Sequence, residues 1–192
     1  TRISLARARL PERRIVVPAR PKEIELDLSA SAIIVIDMQN RFCRVSRDER
    51  GALPTAKPIA PLQALLPRLR AESVPVLWVN WGNRADKLNM APGLIHGFSR
   101  TGGFRPPLMD KGSWEAEIVE GLTVEADDIH VDKYRVSGFW DSPLESILKN
   151  LRVTTLFFAG VNLDQCVHAT MLDASCIGYD IVLLEDCAAT RS

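Results

Sequence analysis

Three side chains stand where this sequence could do chemistry. Asp37 closes the run "SAIIVID", Lys133 closes "DIHVDK", and Cys166 sits in "GVNLDQCVHAT". An aspartate at the end of an apolar run is costly to bury unless it has a partner or a task. Cys166 lies where the apolar run "TTLFFA" gives way to a helical pattern. The first turn of a helix offers free backbone N–H groups and the positive end of the helix dipole. Singly, each residue also fits a bland role: a turn aspartate, a surface lysine, a small core cysteine. Together an acid, a cation and a thiol form a nucleophilic set. The helix start and Lys133 are expected to lower the thiol pKa, so that a thiolate attacks a carbonyl. Asp37 would take the thiol proton and give it to a leaving amine. Backbone N–H groups at the helix start would hold the oxyanion. Water activated by Asp37 would then hydrolyse the thioester.

Such a set works only if the chain folds its three members into one crevice. Residues 31–39 read as a strand buried on both faces, being a continuous β-branched run. Residues 60–73 have helical spacing through Leu62, Leu65, Leu66 and Leu69, and residues 74–81 read as a second buried strand. Residues 82–112 form a polar, glycine-containing excursion with little periodicity, either a specificity element or a surface loop. Residues 128–133 read as a short third strand. "DSPLESILKNL" opens a helix, with Ser142 as cap, Pro143 at the first position and Glu145 completing a capping box. Residues 153–161 are a fourth strand, the next helix is expected to end at Gly178, and residues 179–187 are a fifth strand. Alternating strands and helices imply βαβ units and a mostly parallel sheet with helices on both faces. Ligands bind beyond the carboxyl ends of such strands. The residues there are Asp37, Asn80, Trp81, Lys133, Cys166 and Asp186. A further helix is expected after Ser192 to cover the last strand.

Bulk composition narrows the class. The chain has 192 residues, enough for one domain with a real core. The 24 basic and 24 acidic side chains cancel, which argues against a dedicated nucleic-acid binder. Residues 1–28 are expected to form a basic N-terminal arm, solvated or packed on a neighbouring subunit, and residues 29–192 the catalytic domain. Up to Lys22 the arm holds seven basic residues against one acid, Glu12. No signal peptide or membrane-length apolar run is present, so a cytoplasmic protein with free thiols is expected. Cys43, Cys176 and Cys187 form no C-x-x-C pair and read as packing residues. His96 lies in the excursion, His130 in a strand, and His168 is expected to point away from Cys166.

Longer stretches carry a family resemblance. "IIVIDMQN", "VDKYRVSGFWDSPLESIL" and "FAGVNLDQCVHATMLDASCIGYDIVLLEDCAAT" resemble, in order, the isochorismatase-like cysteine hydrolases. The resemblance implies a Rossmann-like α/β fold and a catalytic triad of Cys166, Asp37 and Lys133. It also implies a non-proline cis peptide at Val161–Asn162, with the Asn162 and Cys166 N–H groups as the oxyanion hole. Two places depart from the family pattern. Asn162-Leu163-Asp164 stands where Ala-Thr-Asn or Ala-Thr-Asp is common. The Asp-x-His metal signature of the nicotinamidase branch is missing from "WVNWGNRADKL", so no metal and no cofactor are expected.

The segment "SGF" followed by a Pro-Leu helix start is similar to the ureidoacrylate and carbamoyl amide hydrolases. That branch implies Tyr134, Ser137 and Phe139 near an acyl or ureido group. Gln39, Asn40, Asn80 and Trp81 could bond to or stack on a small planar substrate, though each could equally be a packing residue. The expected activity is hydrolysis of a small linear amide, ureido or N-carbamoyl compound through a thioester. The alternatives are vinyl-ether cleavage of the isochorismate type, which needs no thiol, and a non-catalytic scaffold. A small-molecule substrate and a homodimer or homotetramer are expected, with no nucleic-acid or membrane partner.

Overall fold

A computed structural model describes residues 11–44, 52–100 and 109–191. In chain order the elements are β1 (Arg14–Val17), β2 (Ile24–Asp27), β3 (Ser31–Ile36), α1 (Asn40–Cys43) and α2 (Ile59–Ala71). There follow β4 (Val76–Trp81), α3 (Pro92–Arg100), β5 (Ile129–Lys133), α4 (Leu144–Leu151), β6 (Thr155–Gly160), α5 (His168–Ile177) and β7 (Asp180–Ala188).

Five strands pair in parallel in the order β5-β4-β3-β6-β7, flanked by helices. Every residue of β3, β4 and β6 is buried, which is why these strands read as unbroken apolar runs rather than alternating ones. The order reverses at β3: the chain builds outward to β5, then returns to lay β6 and β7 on the other side. That reversal is the switch point at which open α/β sheets bind ligands.

Several boundaries differ from the sequence expectation for identifiable reasons. The first strand stops at Ile36 instead of residue 39 because Asp37 adopts a φ of 51° and turns the chain. The second begins at Val76 because Pro75 has no N–H to give a ladder, although its carbonyl accepts from Ile33 N–H at 3.0 Å. In α2, Leu62, Leu66 and Leu69 are buried against the sheet as their spacing implies, and the helix has ended before Ser73, whose φ is 59°. Ser142 caps α4 by accepting from Leu144 N–H at 3.1 Å. Glu145 does not close a capping box; it pairs with Lys149 one turn on. Gly178, at a φ of 109°, ends α5 where expected.

The 82–112 excursion is not irregular throughout, since it contains α3. Pro92, Gly93 and Gly97 hid that helix from a propensity reading. Residues 101–108 of the excursion lie outside the described residues. So do residues 1–10 of the basic arm, but the rest of the arm is folded. β1 and β2 form an antiparallel ribbon with Arg14 opposite Asp27 and Val17 opposite Ile24. Its basic groups meet acids of the same chain, with Arg13 on Glu72 and Arg14 on Glu12 and Glu25. Leu26 and Leu28 are buried in the core, so this stretch is not simply solvated.

Candidate active site

The carboxyl ends of β3 and β6 are neighbours, and each delivers one reactive group. β3 ends at Ile36, paired with Gly160, so Asp37 and the turn after Gly160 emerge side by side. Gly160 is required there. Its φ is 108°, and a Cβ would lie 2.0 Å from the Ile36 carbonyl oxygen. Two strands away, Lys133 pairs with Trp81 at the end of β5. A lysine stem is long enough to cross β4, and its ammonium passes 3.6 Å from the centre of the Trp81 ring.

The three groups meet out of water. Asp37 and Lys133 are fully buried, and Cys166 is 5% exposed. Lys133 Nζ lies 3.2 Å from Asp37 Oδ2 and donates to Cys166 Sγ at 3.3 Å. Its remaining donation goes to the Arg135 carbonyl at 3.1 Å. Asp37 Oδ1 accepts from Trp81 N–H at 3.2 Å. The ammonium thus bridges the acid and the thiol.

Burial governs the protonation of both acids. It pushes the Asp37 carboxyl above its ordinary range, against the pull of Lys133. It pushes the Cys166 thiol up to about 12, with Lys133 opposing and Asp37 adding to the rise. The expectation of a lowered thiol pKa is therefore corrected. Lys133 acts as expected, but desolvation of the thiolate outweighs it. The buried environment thus favours the neutral thiol over the thiolate.

The turn that carries Cys166 is also tighter in definition than a helix start. Residues Leu163–Val167 form a π-helical turn ahead of α5. Val167 N–H reaches back five residues to the Asn162 carbonyl at 3.2 Å, and Gln165 N–H shares that acceptor at 3.0 Å. Such single turns are frequent at functional sites. The Val161–Asn162 peptide is cis, as the resemblance implied. Leu163 N–H donates to the Ala189 carbonyl at 2.9 Å, and Thr190 Oγ1 donates to Asp164 Oδ1, so the unusual Leu163-Asp164 pair ties the turn to the end of β7.

The other candidate residues divide by what they touch. Gln39 is fully buried and its amide is committed to backbone: Nε2 donates to the Trp81 and Ala116 carbonyls at 2.8 and 2.7 Å, and Oε1 accepts from Trp81 N–H. Asn40 Nδ2 donates to the Trp114 carbonyl at 2.9 Å. These two amides hold the Trp81 strand end and the 114–116 turn around Asp37. Asn80 is buried, its Oδ1 has no partner among the described residues, and it lines a cavity of about 350 Å³ with Trp81, Gly82, Lys111 and Ile118. Tyr134 is half-buried beside Lys133. Ser137 is buried and accepts from Phe139 N–H at 3.2 Å. The Phe139 ring stacks on Tyr179 with centroids 6.3 Å apart.

His168 and His130 are exposed, and Asp186 is exposed within β7, away from the triad. Cys43 and Cys187 are buried packing residues, but Cys176 is exposed on the outer side of α5. Among the described residues, no group of three or more His, Cys, Asp or Glu side chains is placed to hold a metal, and no helix is long and apolar enough to cross a membrane. Two parts of the site were missed in the sequence. The Arg135 carbonyl has no side-chain signal. Thr170 did have one: it lies four residues after Cys166 on a helical pattern, hence on the same face.

A five-stranded parallel sheet flanked by helices is the architecture of the isochorismatase-like hydrolases. The isochorismatase domain model matches residues 31–192. The chain is 34% identical over 188 residues to the ureidoacrylate amidohydrolase RutB of Methylobacterium radiotolerans, covering 90% of this chain and 72% of that protein. A cysteine hydrolase from Pseudomonas syringae superposes with a TM-score of 0.75 at 26% identity, covering 86% of this chain and 75% of that one. N-carbamoylsarcosine amidase from Thermoplasma acidophilum superposes with a TM-score of 0.68 at 28% identity, over 84% of each chain. The chain belongs to the isochorismatase family.

Proposed function

We propose that this protein is an amidohydrolase that cleaves a C–N bond of a small linear amide, ureido or N-carbamoyl compound through a thioester on Cys166. The observation that carries the reading is the buried Lys133 ammonium, 3.3 Å from Cys166 Sγ and 3.2 Å from Asp37 Oδ2. The named substrates of RutB and of the carbamoylsarcosine amidase both contain a ureido or carbamoyl nitrogen, which supports this substrate class.

The steps follow from the protonation states. Substrate binds with its carbonyl carbon facing Sγ. As the S–C bond forms, the thiol proton passes to Asp37, which its raised pKa makes a stronger base than an ordinary carboxylate. Lys133 offsets the negative charge on sulfur during the transfer. The carbonyl oxygen becomes an oxyanion held by the Asn162 and Cys166 N–H groups; one such donor is worth about 3–4 kcal/mol. The oxyanion collapses, the C–N bond breaks, and Asp37 gives its proton to the departing nitrogen. Asp37 then accepts a proton from water as that water attacks the thioester. The acid leaves and the thiol is restored.

Ammonia or amine release from a panel of ureido, carbamoyl and aryl amides tests the reading. Parent protein is expected to turn over at least one ureido or carbamoyl compound, and Cys166→Ala and Cys166→Ser to lose that turnover while keeping the parent's circular dichroism. Unchanged hydrolysis by either variant would overturn it.

A further inference from the structure

Thr170 has no part in the steps above, yet its side chain joins the backbones of two halves of the site. It is fully buried. Its hydroxyl donates to the Cys166 carbonyl at 2.6 Å and accepts from Gly138 N–H at 3.0 Å. The first bond is a local habit of helical threonines, which often bond to the carbonyl four residues back. The second is not local, since Gly138 lies 32 residues away on the segment that follows Lys133.

That segment is pinned from both sides. A Cβ on Gly138 would lie 2.7 Å from Val79 Cγ1 and 3.4 Å from Thr170 Cγ2, so the backbone is pressed between β4 and α5. Ser142 Oγ donates to the Gly138 carbonyl. The one oxygen on Thr170 therefore links the backbone of the nucleophile to the backbone between Ser137 and Phe139. A main-chain bond to Cys166 sets where its Sγ points. A main-chain bond to Gly138 sets where the neighbouring Ser137 stands.

We propose that Thr170 is a positioning residue, whose hydroxyl holds the Cys166 turn and the Ser137–Phe139 segment in one register, so that the thiol faces a substrate seated on that segment. The kinetic part of this proposal rests on the amidohydrolase reading; the thiol-reactivity part does not.

Two substitutions separate shape from hydroxyl. Thr170→Val keeps the branched shape and loses both bonds; Thr170→Ser keeps the hydroxyl and loses a methyl. The parent and both variants are compared for amide hydrolysis, for the rate of Cys166 alkylation by iodoacetamide, and for thermal midpoint. A misplaced reacting group is felt in kcat more than in binding. The Val variant is expected to lose about tenfold or more in kcat with KM within about threefold, and to alkylate at a rate differing about fivefold or more from the parent. The Ser variant should recover most of both. Three results would overturn the proposal: a Val variant matching the parent in kcat and alkylation rate, a Ser variant as impaired as Val, or a Val variant that does not fold while Ser does, which would make the hydroxyl a folding requirement only. If the parent hydrolyses no amide, the functional reading fails, and the alkylation comparison still decides the role of Thr170.

Discussion

Burial of Asp37, Lys133 and Cys166 has consequences that a pH titration can read. Asp37 must be ionised to accept the thiol proton, and desolvation raises its pKa. Activity is therefore expected to fall on the acid side with a midpoint above the ordinary carboxylate value of 3.8, measurable as kcat/KM against pH. A midpoint at or below that value would contradict the assignment of Asp37 as base. Stability has its own alkaline limb. Burial raises Cys43, Cys166 and Cys187 from an ordinary 9.0 to about 12. Between those values the unfolded chain has lost its thiol protons and the folded chain retains them, so stability falls as pH rises through this window. Urea midpoints that decline from pH 9 upward would show it, and replacing Cys43 or Cys187 by Ala should flatten the decline. That Asp37, Lys133 and Cys166 could meet was legible because the acid and the lysine each close an apolar run and the thiol follows the turn after another. The thiol's raised pKa was not, because depth of burial depends on what packs over the site.

At the scale of elements, Gly160 decides whether β3 and β6 can approach. Gly160→Ala would place a Cβ 2.0 Å from the Ile36 carbonyl oxygen at a φ of 108°. The left-handed conformation alone costs about 1–3 kcal/mol for a residue with a side chain. The variant is expected to lose at least that much unfolding free energy, read from its urea titration, and parent-like stability would contradict the close approach. Strand identities were legible in β3, β4 and β6 because burial on both faces leaves no polar alternation. The strand limits were less so, being set by Asp37's positive φ and by Pro75. The helix α3 was hidden by its own proline and glycines, and a π-helical turn at Leu163–Val167 has no distinct sequence pattern.

Across the whole molecule, α2, β4 and the start of β5 are joined at Asp128. Its carboxylate accepts from Arg70 Nε and Nη2 at 2.9 and 2.6 Å and from Trp78 Nε1 at 2.8 Å. Desolvation raises the Asp128 pKa, but the hydrogen bonds outweigh it and the net shift is downward. This junction therefore stabilises the fold above the ordinary carboxylate pKa and loses that contribution as pH falls through the lowered one. Asp128→Ala leaves the buried Trp78 N–H without its acceptor and removes the Arg70 ion pair, though Arg70 keeps its bond to the Thr123 carbonyl, for a loss of about 1–3 kcal/mol at neutral pH. Calorimetry should show the loss. Because Asp128 contacts none of the triad, kcat should hold, and a matching fall in kcat with stability retained would contradict this separation. Such cross-links were not legible, because they join residues 58 and 50 positions apart through side chains that read as surface charge and core aromatic. The ribbon of β1 and β2 was hidden likewise, since its charged residues suggested an arm while Leu26 and Leu28 did the packing.

The central claim is that Cys166 carries the acyl group. Rapid quenching of a single turnover, followed by mass spectrometry of the digested protein, tests it directly. The expected result is a transient mass increase equal to the substrate's acyl group on the peptide containing Cys166, decaying as fast as the acid appears and absent from Cys166→Ala. Product formation with no adduct on that peptide, at a rate that Cys166→Ala leaves unchanged, would contradict it.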